Sequence, residues 1–171
     1  MANTIAIKRR IGSIQNMRQI TKAMELVAAS RMRKAQEAAL RSRTYNQMAR
    51  ELLTRVSQIT EVTDHPLFKE REVKARLLVV ITSDRGLAGA YNSNALRKYV
   101  AELKADKKAG IRSYTIAVGQ KAAHLVARLQ DTEVVAVYKN LPEGLKVHDL
   151  QPLLRAAITL FTEQKVDKVD V

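Results

Sequence analysis

The sequence predicts an α/β protein: a long N-terminal coiled-coil helix followed by a Rossmann-like, mostly parallel α/β domain, incomplete at its C-terminus. Three observations predict it. Residues 13–65 contain neither Gly nor Pro. From Ala75 onward, short β-branched apolar runs alternate with helical patterns. The closing VDKVDV reads as the opening of a strand with no turn after it, the pattern expected of a fragment. The expected division is 1–65 for the helix and 70–171 for the truncated α/β domain.

The helix comes first. Ala, Leu, Met, Arg, Lys, Gln and Glu dominate its composition, and all favour helix. Thr4 is placed to cap its start and Pro66 to end it. About 55 residues at 1.5 Å each span roughly 80 Å. A seven-residue repeat fits it. One column is Ile7, Ile14, Thr21, Ala28, Ala35, Ser42, Ala49, Val56, and its companion is Arg10, Met17, Met24, Arg31, Ala38, Tyr45, Leu52, Ile59. A sustained heptad argues for a left-handed coiled coil, with close approach where the seam residues are small. No second helix of that length follows in these 171 residues, so its partner lies outside them.

One segment of this helix has more apolar surface than a single seam uses. In ITKAMELVAASRMRKAQ, a partner helix covers Thr21, Met24 and Ala28, yet Ile20, Ala23, Leu26 and Val27 also need company. A further surface is expected against Ile20–Ala29. Beyond it the chain turns basic, with Arg31, Arg33, Lys34, Arg41 and Arg43.

The remaining elements follow in order. ARLLVVITSD contains a continuous apolar run, as in a strand buried on both faces. RGLAGAYNSN is a loop, followed by a helix from about Asn92 to Lys107. SYTIAVG and TEVVAVY are further strands, and QKAAHLVARLQ is the helix between them. NLPEG turns the chain, and Asp149 is placed to cap a third helix reaching about Gln164. Strand and helix alternate, which predicts parallel pairing with helices on the faces.

Composition narrows the function. At 46% apolar and 27% charged the chain is of folded, soluble type. It has no run of 18 uncharged apolar residues to span a membrane, and MANTIAIKRRIG has neither the apolar core nor the cleavage site of a signal peptide. It reads as the native start of a cytoplasmic protein. Cysteine is absent, which removes disulfides and thiolate zinc sites. His65, His124 and His148 show no ligand spacing: His65 precedes Pro66 in a turn, His124 reads as a partly buried helix residue and His148 opens a helix. No metal site is expected. The net charge of +13 is uneven: residues 1–60 carry 12 Lys/Arg against 3 Glu, and the other 111 carry 18 against 14. The first third should therefore seek an acidic surface.

The only motif-like loop is Ser83-Asp84-Arg85-Gly86-Leu87-Ala88-Gly89-Ala90-Tyr91-Asn92, after the first strand, where open α/β sheets bind ligands. Two glycines before a helix can bare N–H groups to phosphate. There is no G-x-G-x-x-G, however, and no G-K-[ST]. Asp84 has no neighbouring His, Cys or second carboxylate for acid–base or nucleophilic work. The favoured reading is structural: Gly86 and Gly89 allow a tight turn, with Asp84 and Arg85 bonding locally.

Two stretches carry a resemblance. IKRRIGSIQNMRQITKAMELVAASRMRKAQ and ITSDRGLAGAYNSN resemble the γ-subunit family of bacterial F-type ATP synthases, and the resemblance runs over all 171 residues. It implies a central-stalk rotor whose two terminal helices form an antiparallel coiled coil inside a hexamer of alternating alpha and beta subunits. The α/β domain then sits against the epsilon subunit and the membrane ring of c subunits, peripheral to the cytoplasmic side of the inner membrane. Proton flow turns ring and shaft, and the shaft drives the catalytic beta subunits through ATP synthesis or hydrolysis. The family implies a non-catalytic subunit with no cofactor or nucleotide site of its own. In that setting Ile20, Met24, Leu26 and Val27 meet the collar of the hexamer or the seam. Arg31, Arg33, Lys34, Arg41 and Arg43 face acidic segments of beta. Asp84, Arg85, Gly86 and Gly89 form a structural or subunit-contact loop, whose Ala88 and Ala90 depart from the Cys or Gly of many relatives.

Two rival readings remain. A basic coiled coil could bind nucleic acid with strong salt dependence, but aromatics are few and no base-reading module is present. A small α/β enzyme could hold phosphate at Gly86–Gly89, and micromolar nucleotide binding would favour it.

Overall fold

The computed structural model describes residues 2–58, 65–69, 71–142, 144 and 146–171. The chain divides into two units, Met1–Val56 and Ser57–Val171. The first is a single helix, α1 (Ala2–Val56), of 55 residues. It already includes Thr4, so Thr4 is an interior residue and not the cap its chemistry suggested. Nor does the helix run on to Pro66: it ends at Val56 and passes into a turn at Ser57 and Gln58. The hydroxyl and β-branched residues that follow, from Ser57 to Thr63, are poor helix formers. Ile59, the last residue of the predicted seam, lies outside the described residues.

Two hydroxyls of the seam are turned inward on α1 itself. Thr21 Oγ1 donates to the Met17 carbonyl at 2.8 Å, and Ser42 Oγ to that of Ala39 at 3.0 Å. Back-bonding of this kind satisfies a hydroxyl without a partner, so both positions present small, effectively apolar surfaces.

The second unit contains β1 (Ala75–Ile81), α2 (Tyr91–Ala109), β2 (Arg112–Val118), α3 (Gln120–Val126), β3 (Glu133–Tyr138), α4 (Val147–Thr162) and β4 (Lys168–Asp170). A one-turn 3₁₀ helix, Pro66–Phe68, precedes them. The strands are all parallel, in the order β3-β2-β1-β4. The predicted α/β class and parallel sheet are observed. α3 is shorter than QKAAHLVARLQ suggested, and His124 on it is exposed instead of partly buried. Asp149 is the third residue of α4, not its cap. Its carboxylate reaches back to the backbone N–H of Lys146 at 2.8 Å, the returning half of a capping arrangement.

The unbroken apolar run of β1 is explained by its place between two cores. Leu78 and Val80 face Tyr99 and Leu103 of α2 and Ala122 and Val126 of α3. Leu77 and Val79 face the opposite way, with Ile116, Val118 and Val166, against Leu153, Ala156 and Leu160 of α4. Leu77 and Ile116 are fully buried, each worth roughly 2–3 kcal/mol over its exposed state.

The buried polar residues Asp106, Ser113 and Thr115 are each hydrogen-bonded. Arg76, on β1, binds Glu102 and Asp106 of α2 and Asp170 of β4, and Ser113 Oγ donates to the second oxygen of Asp106 at 3.1 Å. Tyr99 OH, Thr115 Oγ1 and Thr132 Oγ1 form a chain of hydroxyls 2.8 and 2.7 Å apart, which Thr132 ends by donating to the Ser113 carbonyl. Burial raises the pKa of Tyr99, keeping the phenol neutral.

The segment entering β1 is fastened to the far end of α4. Arg71 stacks over the Phe161 ring, 4.4 Å from its centre, and donates to the carbonyls of Phe161 and Val166. Asp167 accepts the backbone N–H groups of Lys74 and Ala75, both at 3.0 Å.

Candidate functional site

The candidate loop residues belong to the second unit and the candidate contact residues of α1 to the first. The loop after β1 lies at the C-terminal edge of the sheet, beside the point where the strand order reverses between β1 and β4. Its polar groups are committed to the chain itself. Thr82 Oγ1 accepts the N–H of Ala122 at 2.9 Å and donates to the Val118 carbonyl at 3.1 Å. Asn92, in the first turn of α2, accepts the Ser83 N–H at 3.0 Å, and its amide donates to Ser83 Oγ at 2.8 Å. Ser83 Oγ lies 2.6 Å from the Arg85 carbonyl.

Asp84 does more than bond locally. Its Oδ1 accepts the N–H of Gln120, the first residue of α3, at 2.8 Å. A carboxylate thus occupies the N-terminus of α3, where an anionic ligand would be drawn. Of the two glycines only Gly89 uses the left-handed region, with φ +55°, and Leu87 joins it at φ +60°. Leu87 is 92% exposed, a large apolar side chain held at the tip of the loop by a conformation costly for a non-glycine residue. Asn92 belongs to the motif-like loop, but the sequence gives neither Thr82 nor Gln120 a role, because it does not show that the start of α3 meets this loop. Gly119, ahead of α3, carried the one readable sign, a glycine between strand and helix.

The second set lies on α1. Ile20, Met24, Leu26 and Val27 are each between 51% and 64% exposed. At 100° per residue they do not share a face. Ile20 and Val27 flank the seam within about 60° of Met24, close enough for a coiled-coil partner to reach. Leu26 points about 160° away from Met24, on the outer side with Arg33 and Leu40. The five bases are spread in the same way. Lys34 and Arg41 lie in one column, Arg31 is on the seam, and Arg33 and Arg43 stand on other faces. The charge therefore encircles the helix instead of forming a stripe. Carboxylates on the same stretch are few: Glu25, which pairs with Lys22 at 3.1 Å, and Glu37.

The profile of the family described as ATP synthase matches residues 3–171. Among curated relatives, the ATP synthase gamma chain of Xanthomonas campestris pv. campestris is 36% identical over 170 residues, 99% of this chain and 59% of its own length. That of Stenotrophomonas maltophilia shows the same figures. That of Cupriavidus pinatubonensis is 37% identical over 169 residues, 99% of this chain and 58% of its own. The chain thus spans about three-fifths of the length of the relatives it matches.

Proposed function

The chain belongs to the gamma-chain family of ATP synthase, and on that premise we propose that it is the central-stalk rotor subunit of an F-type ATP synthase. It transmits rotation between a proton-driven c-ring and the catalytic hexamer of alpha and beta subunits, without catalysing a reaction itself. The observation that carries this reading is α1, a 55-residue helix with large apolar side chains exposed on opposite sides. One partner helix covers the seam through Met17, Met24 and Leu52. Leu26, pointing the other way, needs a second surface, and a sleeve around a shaft supplies one.

Charge supports the same arrangement. Bases on several faces of one helix suit a partner that passes around it, since Coulombic attraction depends less on register than close packing does. Arg31, Arg33, Lys34, Arg41 and Arg43 are assigned to acidic segments of beta, and the α/β unit to the epsilon subunit and the c-ring. No helix among the described residues is long and apolar enough to cross a membrane, so the c-ring is the proposed route to the bacterial inner membrane, on its cytoplasmic face. The loop Asp84–Gly89 is assigned a structural or subunit-contact role.

The test is assembly. The full-length protein should co-purify with alpha and beta subunits, and ATP-driven proton pumping by reconstituted complexes should require it. Recovery of a complete, coupled complex from cells lacking this gene would sink the reading.

A further inference from the structure

Among the described residues β3 is hydrogen-bonded to a strand only on the side facing β2, which makes it an edge of the sheet. Such an edge offers unpaired N–H and C=O groups to any extended chain, and soluble proteins blunt it with Lys, Pro, inward charge or a covering element. β3 has few of these devices. EVVAVY carries a single charge, at its first residue, and no Lys, Pro or Gly. By register Val134 and Val137 lie opposite Thr115 and Ala117, on the face covered by α2 and α3. They remain 41% and 42% exposed. The one irregularity, the step between Thr115 and Ile116, leaves the pairing of Val137 and Tyr138 regular.

The backbone is aimed for strand addition. Gly119 N–H donates to the Tyr138 carbonyl at 2.8 Å, so the polar groups of Tyr138 face β2. Those of its neighbour Val137 therefore face outward. The surroundings of the edge are basic. Arg128 stands before β3, Lys139 after it and Arg112 beside its start, all exposed. Of the acids there, Asp131 is held by Lys107, which leaves Glu133.

We propose that β3 is a strand-addition site, occupied by an extended segment of another subunit that alternates apolar side chains with carboxylates. Main-chain hydrogen bonds to Val137 hold it, Val134 and Val137 receive its apolar side chains, and the ring of bases selects for its charge. This rests on the reading that the chain works inside a multi-subunit assembly.

The test is hydrogen exchange at the Val137 amide, compared between the isolated full-length protein and the intact assembly purified from cells; a Val137 amide already protected in the isolated full-length protein overturns the proposal, since the edge would then be covered by the rest of the same chain. Protection in the assembly should be on the order of tenfold or more. Two variants read the partner's charge. Lys139→Glu should loosen the subunit seated on β3, while Lys139→Arg retains it, with circular dichroism confirming that both fold. Equal exchange in both states, or equal effects of the two variants, overturns the proposal. So does a concentration-dependent dimer of the isolated chain that Val137→Glu abolishes, since the edge would then belong to a second copy. A chain absent from the assembly altogether sinks the rotor reading and this occupant with it. A chain present with Val137 unprotected sinks the edge proposal alone.

Discussion

Gly119 and Thr82 are packed so closely that a Cβ on Gly119 would lie 2.2 Å from the Thr82 carbonyl oxygen and 2.7 Å from its hydroxyl. Gly119 also has φ +93°, which other residues rarely adopt. The junction of β2 and α3 therefore requires glycine on two counts, and the nearest obstacle, the Thr82 carbonyl, cannot swing aside because it is backbone. Gly119→Ala should cost roughly 3 kcal/mol or more, read as a lower midpoint of urea unfolding. It should also release the Thr82–Ala122 bond, which would appear as faster exchange of the Ala122 amide.

Arg76 holds three carboxylates, of which Asp106 is only 2% exposed. Removing the guanidinium leaves that carboxylate with Ser113 alone. Arg76→Met should destabilise the α/β unit by about 3–5 kcal/mol. The double variant Arg76→Met/Asp106→Asn should recover part of the loss, as expected for a directly coupled pair. A double variant no better than the single one would show that Asp106 is not the group left stranded.

Asp167 has its pKa held below the ordinary carboxylate range, first by the N–H of Lys74, then by that of Ala75 and by the charges of Arg71 and Lys74, while burial pushes it the other way. The folded state thus binds this proton less readily than the unfolded state. Its contribution to stability is complete above the unfolded value, about 3.9, and is lost as pH falls through the lower folded value. Asp167→Asn should therefore be less stable than the parent at pH 7, with the gap closing only in acid below about pH 4. Paired urea titrations from pH 7 to pH 3 measure it.

Leu26 and Gly12 separate the behaviour of α1 alone from its behaviour in an assembly. Leu26 is 64% exposed in the chain, so Leu26→Glu should change the stability of the isolated protein by no more than about 0.5 kcal/mol. Retention in the complex with alpha and beta should nevertheless fall, because the sleeve proposed around Ile20–Ala29 would receive a charge.

Gly12 has open space where a Cβ would go, nothing lying within 4 Å. Gly12→Ala should raise the helicity and thermal stability of the isolated chain, by up to about 1 kcal/mol. Loss of complex formation despite that gain would mean that another backbone approaches α1 at Gly12.

The α/β architecture was legible because its signals are local. The run LLVV needs two covered faces, and alternating strand and helix patterns leave parallel pairing as the default. Less legible were the ends of elements. Thr4 has the chemistry of a cap, but helix begins two residues before it. Asp149 is adjacent to a helix start but acts from its third position. At the loop, Asp84 and Gly89 could be singled out from motif alone. The partner of Asp84 could not, because Gln120 is 36 residues away and meets it only once β1 and β2 pair in register. The contact roles of Ile20, Leu26 and the bases belong to surfaces outside this chain, so they rest on exposure and direction alone.

The clasp of Arg71 and Asp167 also bears on mechanics. Parallel strands pulled along their length resist as many bonds in shear, whereas a strand peeled from its end loses them one at a time. The residues just ahead of β1 are tied across to the end of α4 and the start of β4. A tug on that lead-in is therefore shared with α4 and β4 before the first rung between β1 and β2 can open. Force arriving from upstream meets a splice, not a loose thread.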